Sequence, residues 1–277
     1  MKINELKIKK VLYKDNKLYT LNNIDKEKLD ENSEFSIASI TKIFTAISLL
    51  ILHQEKKLNI NDTFKKYLDH KELANVKIID VINHTSGLKT ISDGFNKKNL
   101  KTYYNSIEYY NYYKNEKLIK HKKGTHNYSN IGYNLLGVLI ETITNMSYNK
   151  YIHKNILKPL KMIHTGIEKT NITQYYFNIK KFKKYEKDML MAAGSAGGLK
   201  SSISDLIKFK NFHKLLNNNS IKLLQEMYFC KYIKEDKIYT ISHNGSMIGN
   251  LTQVRIRYDN NWKFKDINIR FSTNVHR

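Results

Sequence analysis

From Glu5 to Leu21 the chain alternates apolar and polar residues around Asp15-Asn16, which predicts two strands joined by a tight turn. From Ser36 to His53 the period becomes helical, with Ile40, Ile43, Phe44, Ala46, Ile47, Leu49, Leu50 and Ile51 covering nearly every face. A helix that is apolar all round is a buried one. From Asn59 to about Met191 the signals are mainly helical, including Ile78 to Asn83 and Tyr133 to Thr144, with a lysine- and tyrosine-rich stretch from Lys97 to Lys123 between them. A glycine-rich loop, Gly194 to Gly198, leads to a helix from Ser204 to about Leu216. Strands return at Lys237 to Ser242, Leu251 to Tyr258 and Lys263 to Ser272, the last two joined by Asp259-Asn260-Asn261.

Strands, then helices, then strands predict an α/β (α+β) fold: an antiparallel sheet built from both chain ends, flanked by helices, with a helical lobe inserted. The chain reads as one unit, with an α/β lobe of residues 1–58 and 192–277 and a mainly helical lobe of residues 59–191. The late strands also predict two unlike faces. Thr252, Val254, Ile256 and Tyr258 oppose Leu251, Gln253, Arg255 and Arg257, while Phe264, Ile267, Ile269 and Phe271 oppose Lys263, Lys265, Asn268 and Arg270, with a slip of register near Asp266.

Composition narrows the function classes. The 277 residues carry a formal charge of +23, and 44 of the 48 basic residues are lysine. Reading of bases and phosphates leans on arginine's planar fork, so sequence-specific nucleic-acid binding is not expected. An anionic cell-wall polymer or membrane surface fits the charge better. The single cysteine, Cys230, rules out an internal disulfide framework, and no H-E-x-x-H pair occurs, so neither a metal nor another cofactor is expected. Met1 to Lys10 is charged throughout and has no apolar signal region, and the most apolar stretch, Ile43 to Leu52, is too short to span a bilayer. As written, the chain has no export signal, and its compartment stays open.

Three short segments carry chemistry. In Ser39-Ile40-Thr41-Lys42 the three-residue offset on a helix places hydroxyl and amine on one face, and burial would make the amine neutral enough to take the serine proton. With this many lysines, chance alone supplies about three S-x-x-K tetrapeptides, a motif that is only a hypothesis by itself. Three are present, at Ser39, Ser86 and Ser147. Only the first lies at the head of a buried helix, where a lysine is costly without a function or a partner. In Tyr128-Ser129-Asn130 a phenol can exchange a proton and an amide can hold a carbonyl, although Y-x-N also recurs at Tyr103, Tyr109, Tyr113, Tyr176 and Tyr258. His243-Asn244-Gly245-Ser246 closes a predicted strand, where glycine permits close approach and the next N–H can stabilise an oxyanion.

In this order the three sets resemble the serine β-lactamase and penicillin-binding-protein superfamily, nearest its class C and D,D-peptidase-like branch, which includes esterases and D-amino-acid peptidases. The similarity runs from about Ser33 to Asn274. It includes Ala38 to Ala46, His84-Thr85-Ser86-Gly87-Leu88, Tyr128 to Tyr133 with Leu135-Leu136-Gly137, Pro159-Leu160-Lys161-Met162, Ala193 to Leu199 with Ser204-Asp205-Leu206, and Ser272-Thr273-Asn274. The resemblance implies that Ser39 is the acylated nucleophile, Lys42 its activating amine and Tyr128 a second proton-transfer group. Asn130 would hold the substrate's acyl side-chain carbonyl. His243 stands where relatives carry lysine or histidine, Gly245 lines the same strand, and the backbone N–H groups of Ser39 and Ser246 would form the oxyanion hole. Ser86-Gly87 and Gly197-Gly198 are read as turn residues.

Relatives usually cover the outer face of the sheet with a helix before the first strand and another after the last. Here Met1 leads almost directly into a strand and Arg277 comes three residues after Asn274, so both covering helices are expected to be missing. The expectation is a monomeric serine hydrolase with a bare basic outer face. It would cleave an ester or amide in a small-molecule or peptidoglycan-like substrate (a D-amino-acid peptide, an ester or a β-lactam), with Tyr128 and His243 setting the pH profile. The alternative is a catalytically weak or inactive relative that binds peptidoglycan-like or anionic cell-wall ligands.

Overall fold

The structure is a computed structural model and describes residues 8–90, 110–111, 114–167, 175–178, 181–184, 194–247 and 249–273. Strand β1 (Lys9–Lys14) and strand β2 (Lys17–Asn22) form the expected hairpin. Asp15 and Asn16 take φ of 52° and 59°, the left-handed pair of a two-residue turn whose twist matches that of the strands. Strand β1 also pairs antiparallel with the last strand, setting Val11 opposite Phe271. Both ends of the chain thereby enter one sheet.

In chain order the remaining strands are β3 (Phe35–Ser36), β4 (Tyr175–Asn178), β5 (Lys181–Lys184), β6 (Lys200–Ser201), β7 (Cys230–Ile233), β8 (Ile238–Met247), β9 (Asn250–Asp259) and β10 (Phe264–Thr273). The main sheet runs β2-β1-β10-β9-β8-β7, antiparallel throughout. Its inner face buries Val11, Ile241, Val254, Ile256, Tyr258, Ile267, Ile269 and Phe271. Gln253, Arg255 and Arg270 are exposed on the other side, where Arg257 grips Asp266 through two hydrogen bonds of 3.0 and 2.8 Å. The register slips between Phe264 and Asp266, at the expected place. The outer face is largely polar across β9 and β10 and turns apolar toward both edges, where Tyr19 and Leu21 of β2 and Ile233 of β7 are exposed.

Against the inner face lies α1 (Thr41–Gln54), buried at every residue from Thr41 to Leu52. Its Phe44 stacks on Phe209 at 4.2 Å between ring centroids, and Phe209 on Phe212 at 5.1 Å. The other helices are α2 (Ile78–Ile82), α3 (Asn130–Thr144), α4 (Tyr148–Ile152), α5 (Gly194–Gly197), α6 (Ile203–Phe209) and α7 (Asn218–Gln225). Among the described residues no helix is long and apolar enough to cross a membrane.

The structure departs from the sequence pattern in several elements. The segment expected to be helical from Ser36 begins instead as β3, paired with β6, followed by a 3-10 turn at Ala38–Ile40 before α1 starts. Gly194 to Gly198, expected as a loop, forms the single turn α5, closed by a 2.7 Å bond from the Gly198 N–H to the Gly194 carbonyl. The helix expected from Ser204 to Leu216 breaks after Phe209, because the Lys210 carbonyl is taken by the Tyr258 hydroxyl and faces the His213 ring. The short edge strand β7 and the β4–β5 hairpin have no counterpart in the predicted pattern.

Neighbouring residues of β9 test the two faces directly. Ile256→Ala leaves a hole in the core and is expected to cost about 2–5 kcal/mol, whereas Arg255→Ala should stay within about 0.5 kcal/mol. Denaturant unfolding of both variants measures this, and similar losses in the two would refute the assignment of faces.

Candidate active site

The Ser39 segment is held at both ends. The Ile37 N–H bonds the Leu199 carbonyl at 3.0 Å, and the Leu199 N–H bonds the Thr41 hydroxyl at 3.1 Å. Between them Ala38 adopts φ of 44°, a left-handed conformation that costs a residue with a Cβ about 1–3 kcal/mol. Its N–H is held by the Ser36 hydroxyl at 3.2 Å. The kink turns the chain so that Ser39 stays half buried while its neighbours Ala38 and Ile40 are fully covered. One helical turn on, Lys42 points its amine back at Ser39.

A second wall comes from the start of α3. Ser129 has the extended backbone of an N-cap; its hydroxyl accepts from the Gly132 N–H at 3.1 Å and donates to the Lys89 carbonyl at 2.6 Å. The cap places Tyr128 just outside the helix and Asn130 at its first position. Gly132 permits a close approach, since a Cβ there would meet the Val81 side chain at 2.9 Å. The turn after α2 docks on the same segment: the His84 carbonyl accepts the Asn127 N–H at 2.7 Å, and its Nδ1 accepts the Ser129 N–H at 3.1 Å.

The third wall is α5, clamped between α1 and α3. Thr45 donates to the Ser195 carbonyl at 2.7 Å, the Ser195 hydroxyl to the Tyr133 carbonyl at 3.0 Å, and Asn134 accepts the Ala196 N–H at 3.1 Å. This leaves the Ala196 carbonyl aimed at Lys42.

Lys42 Nζ lies 3.2 Å from Ser39 Oγ, 2.7 Å from Asn130 Oδ1 and 2.6 Å from the Ala196 carbonyl oxygen. Among the described residues three lysines, Lys9, Lys42 and Lys200, are fully buried. Lys9 pairs with Asp25 at 2.9 Å and with Glu27, and Lys200 with Glu34 at 3.1 Å. Among the described residues no carboxylate pairs with Lys42, and burial holds its amine well below the usual lysine range. A neutral amine has two N–H groups. Asn130 and Ala196 accept both, which leaves the nitrogen lone pair facing the Ser39 hydroxyl.

Tyr128 hydrogen-bonds Ser39, and its ring lies 4.8 Å from Lys42 Nζ, yet burial pushes the phenol up to about 12. It is therefore a protonated donor at rest. His243, on the inner face of β8, is lowered to about 4 by burial and by Lys42. Both its nitrogens are occupied, Nε2 by the Tyr228 hydroxyl and Nδ1 by the Asn244 carbonyl, each at 2.6 Å. His84 is buried and lowered to about 2 by the same causes, and its ring packs 4.3 Å from Tyr128 and 4.7 Å from Tyr228.

Ser39, Lys42, Tyr128, Asn130 and His243 thus converge. Gly245 supports them from behind: a Cβ there would come within 2.3 Å of the Ile37 carbonyl, so its bareness lets β8 lie against the turn that carries Ser39. This close partner is the protein's own backbone rather than a substrate. The Ser246 side chain is exposed on the opposite face of the strand, so only its backbone can serve the site. The other S-x-x-K serines hold local structure, Ser147 as the N-cap of α4 and Ser86 accepting the Leu88 N–H at 3.5 Å. Cys230 is buried, which pushes its thiol up to about 12 and makes it a poor nucleophile. The sequence alone assigns no role to Tyr228, to the Ala196 carbonyl or to His84, none of which carries a local catalytic motif.

Comparison with known proteins bears on the family and the fold. The chain is 35% identical over 167 residues to Protein flp of Staphylococcus aureus (strain NCTC 8325 / PS 47), covering 56% of this chain and 32% of that protein. It is 33% identical over 147 residues to Penicillin-binding protein 4* of Bacillus subtilis (strain 168), covering 52% and 32%. The chain therefore spans about a third of the length of these curated relatives. Among solved structures, D-amino acid amidase from Ochrobactrum anthropi SV3, complexed with L-phenylalanine amide, superposes with a TM-score of 0.75 at 20% identity, over 98% of this chain and 87% of that one. The octameric penicillin-binding protein homologue from Pyrococcus abyssi gives 0.75 at 21% identity, over 97% and 69%. At such identities the likeness is one of fold. The beta-lactamase family model matches residues 10–228, most of the sheet's first hairpin through the last helix, and on that match the chain belongs to the beta-lactamase family.

Proposed function

We propose that this protein is a serine hydrolase that cleaves an ester or amide through an acyl-enzyme on Ser39. The observation that carries the reading is Lys42: a fully buried amine with no carboxylate partner among the described residues, with acceptors for both N–H groups of its neutral form, 3.2 Å from a serine hydroxyl. As Ser39 Oγ attacks the carbonyl carbon, its proton passes to the Lys42 lone pair. The new ammonium lies beside the Tyr128 ring and eases release of the phenol proton to the departing oxygen or nitrogen. Water then attacks the acyl-enzyme with the same two groups acting in reverse. The substrate is a small acyl donor such as a D-amino-acid peptide, an ester or a β-lactam. Asn130 orients its acyl part, and the N–H groups of Ser39 and Ser246 face the oxyanion.

A fluorophosphonate or labelled penicillin on the purified protein tests the central claim. Label is expected on wild type at Ser39 and absent from Ser39→Ala; equal labelling of the two would refute the site. Tyr128→Phe should keep its packing and slow turnover by about 10²-fold or more.

Lys42 links reactivity to stability. Its folded pKa is lowered, so between that value and the unfolded value the unfolded chain binds more protons and stability rises with pH. Neither Tyr128 nor His243 titrates between pH 5 and 8, so acylation should rise with pH through the Lys42 titration alone. Lys42→Met removes the buried amine and should abolish labelling while raising stability at pH 7 by about 0.5–2 kcal/mol. Thermal unfolding of wild type and variant checks the sign, and a destabilised variant would show that the amine holds the fold together.

A further inference from the structure

The cleft wall facing Ser39 contains a histidine with no hydrogen-bonding capacity left for a ligand. The Asn244 carbonyl can only accept, so the 2.6 Å contact places the His243 proton on Nδ1. In the neutral ring Nε2 is then an acceptor for the Tyr228 hydroxyl, 2.6 Å away, which also has Tyr133 as a side-chain hydrogen-bond partner. Tyr228 itself is fixed. Its ring packs edge-on against His84 at 4.7 Å and against His243 at 5.6 Å, and it adjoins Tyr133, whose hydroxyl donates to the Ile82 carbonyl at 2.9 Å. Asn83 Oδ1 holds the Tyr228 backbone N–H at 3.0 Å.

Among the described residues, burial is the main opponent of a second proton on the His243 ring, and Lys42 adds to it when its amine is charged. Lys42 faces it from α1, the Tyr128 ring lies 6.4 Å away at the head of α3, His84 faces it from the end of α2, and Tyr228 holds it from the segment before β7. None of these is a carboxylate. The amine of Lys42 is committed to Asn130 and Ala196. A protein of formal charge +23 thus presents, among the described residues around Ser39, no free cation.

We propose that Tyr228 is a positioning residue that keeps His243 neutral and without a free donor, so that the cleft takes acyl donors with an uncharged leaving group in preference to carboxylate-bearing ones. The selectivity rests on the serine-hydrolase reading; the lock on His243 does not. Tyr228→Phe removes one hydroxyl and leaves the ring packing. Nε2 is then free to take a proton and to meet a carboxylate.

The test has two readouts. Nitrogen-15 histidine spectra, with the His243 signal assigned through His243→Gln, are expected to show a proton on Nδ1 and no titration between pH 5 and 8 in wild type, and a titration moved upward in Tyr228→Phe. Wild-type spectra with His243 titrating near the ordinary histidine value would overturn the lock without recourse to any variant. The second readout compares 4-acetoxybenzoate with its methyl ester, which share an acetyl group and differ by one carboxylate on the leaving phenol. Relative to wild type, Tyr228→Phe should shift the kcat/KM ratio toward the carboxylate at pH 6 by about tenfold, the worth of one hydrogen bond to a charged group. An unchanged ratio would overturn the selectivity. If neither ester is turned over, the hydrolase reading fails alone; the spectra still decide the lock, and calorimetric affinities for the two free phenols decide the selectivity.

Discussion

A buried amine with no counter-charge is the constraint on which the centre of this molecule depends. Taking an ammonium out of water costs several kcal/mol unless an anion accompanies it. Lys9 and Lys200 meet that cost with Asp25, Glu27 and Glu34. For Lys42 burial favours the neutral amine instead, and the structure offers it two oxygen acceptors and a hydroxyl. A carboxylate in place of Asn130 would favour the charged form.

Each acceptor arrives on a different element, and each element is set by a local device. Ser129 caps α3 and so fixes Asn130 and Tyr128 on either side of itself. The turn α5 hangs from Thr45 and Asn134 and so presents the Ala196 carbonyl. The strained left-handed backbone of Ala38 turns Ser39 outward, and His84, also left-handed at φ 59°, braces the Tyr128 segment. Strain of this kind persists only where surrounding contacts over-determine it. Here the bonds to Leu199, Ser36 and Ser129 do so.

The cleft is electrostatically unlike the surface around it. Lysines cover the exterior, while Ser39 is surrounded by phenols, neutral imidazoles and amides. Desolvation pushes every titratable group there toward its uncharged form, raising Tyr128 and lowering Lys42, His84 and His243. The same burial that favours a neutral Lys42 thus disfavours charge on the histidines beside it.

Much of the framework was legible in the chain itself. The hairpin at Asp15-Asn16, the all-round apolar α1, the two-faced late strands and the bulge near Asp266 follow from side-chain period and turn chemistry, which are local properties. Ser39, Lys42, Tyr128, Asn130 and His243 could be singled out because their spacing repeats a known order. What the chain could not decide is which of 44 lysines lies buried without a partner. That depends on where distant carboxylates fall in space. Nor could it show that Gly194–Gly197 coils to offer a carbonyl, that Gly245 makes room for the protein's own backbone, or that Tyr228 reaches His243. Those contacts join segments that no period or motif relates, and only packing α1, α3, α5 and β8 around one point brings them within hydrogen-bonding distance.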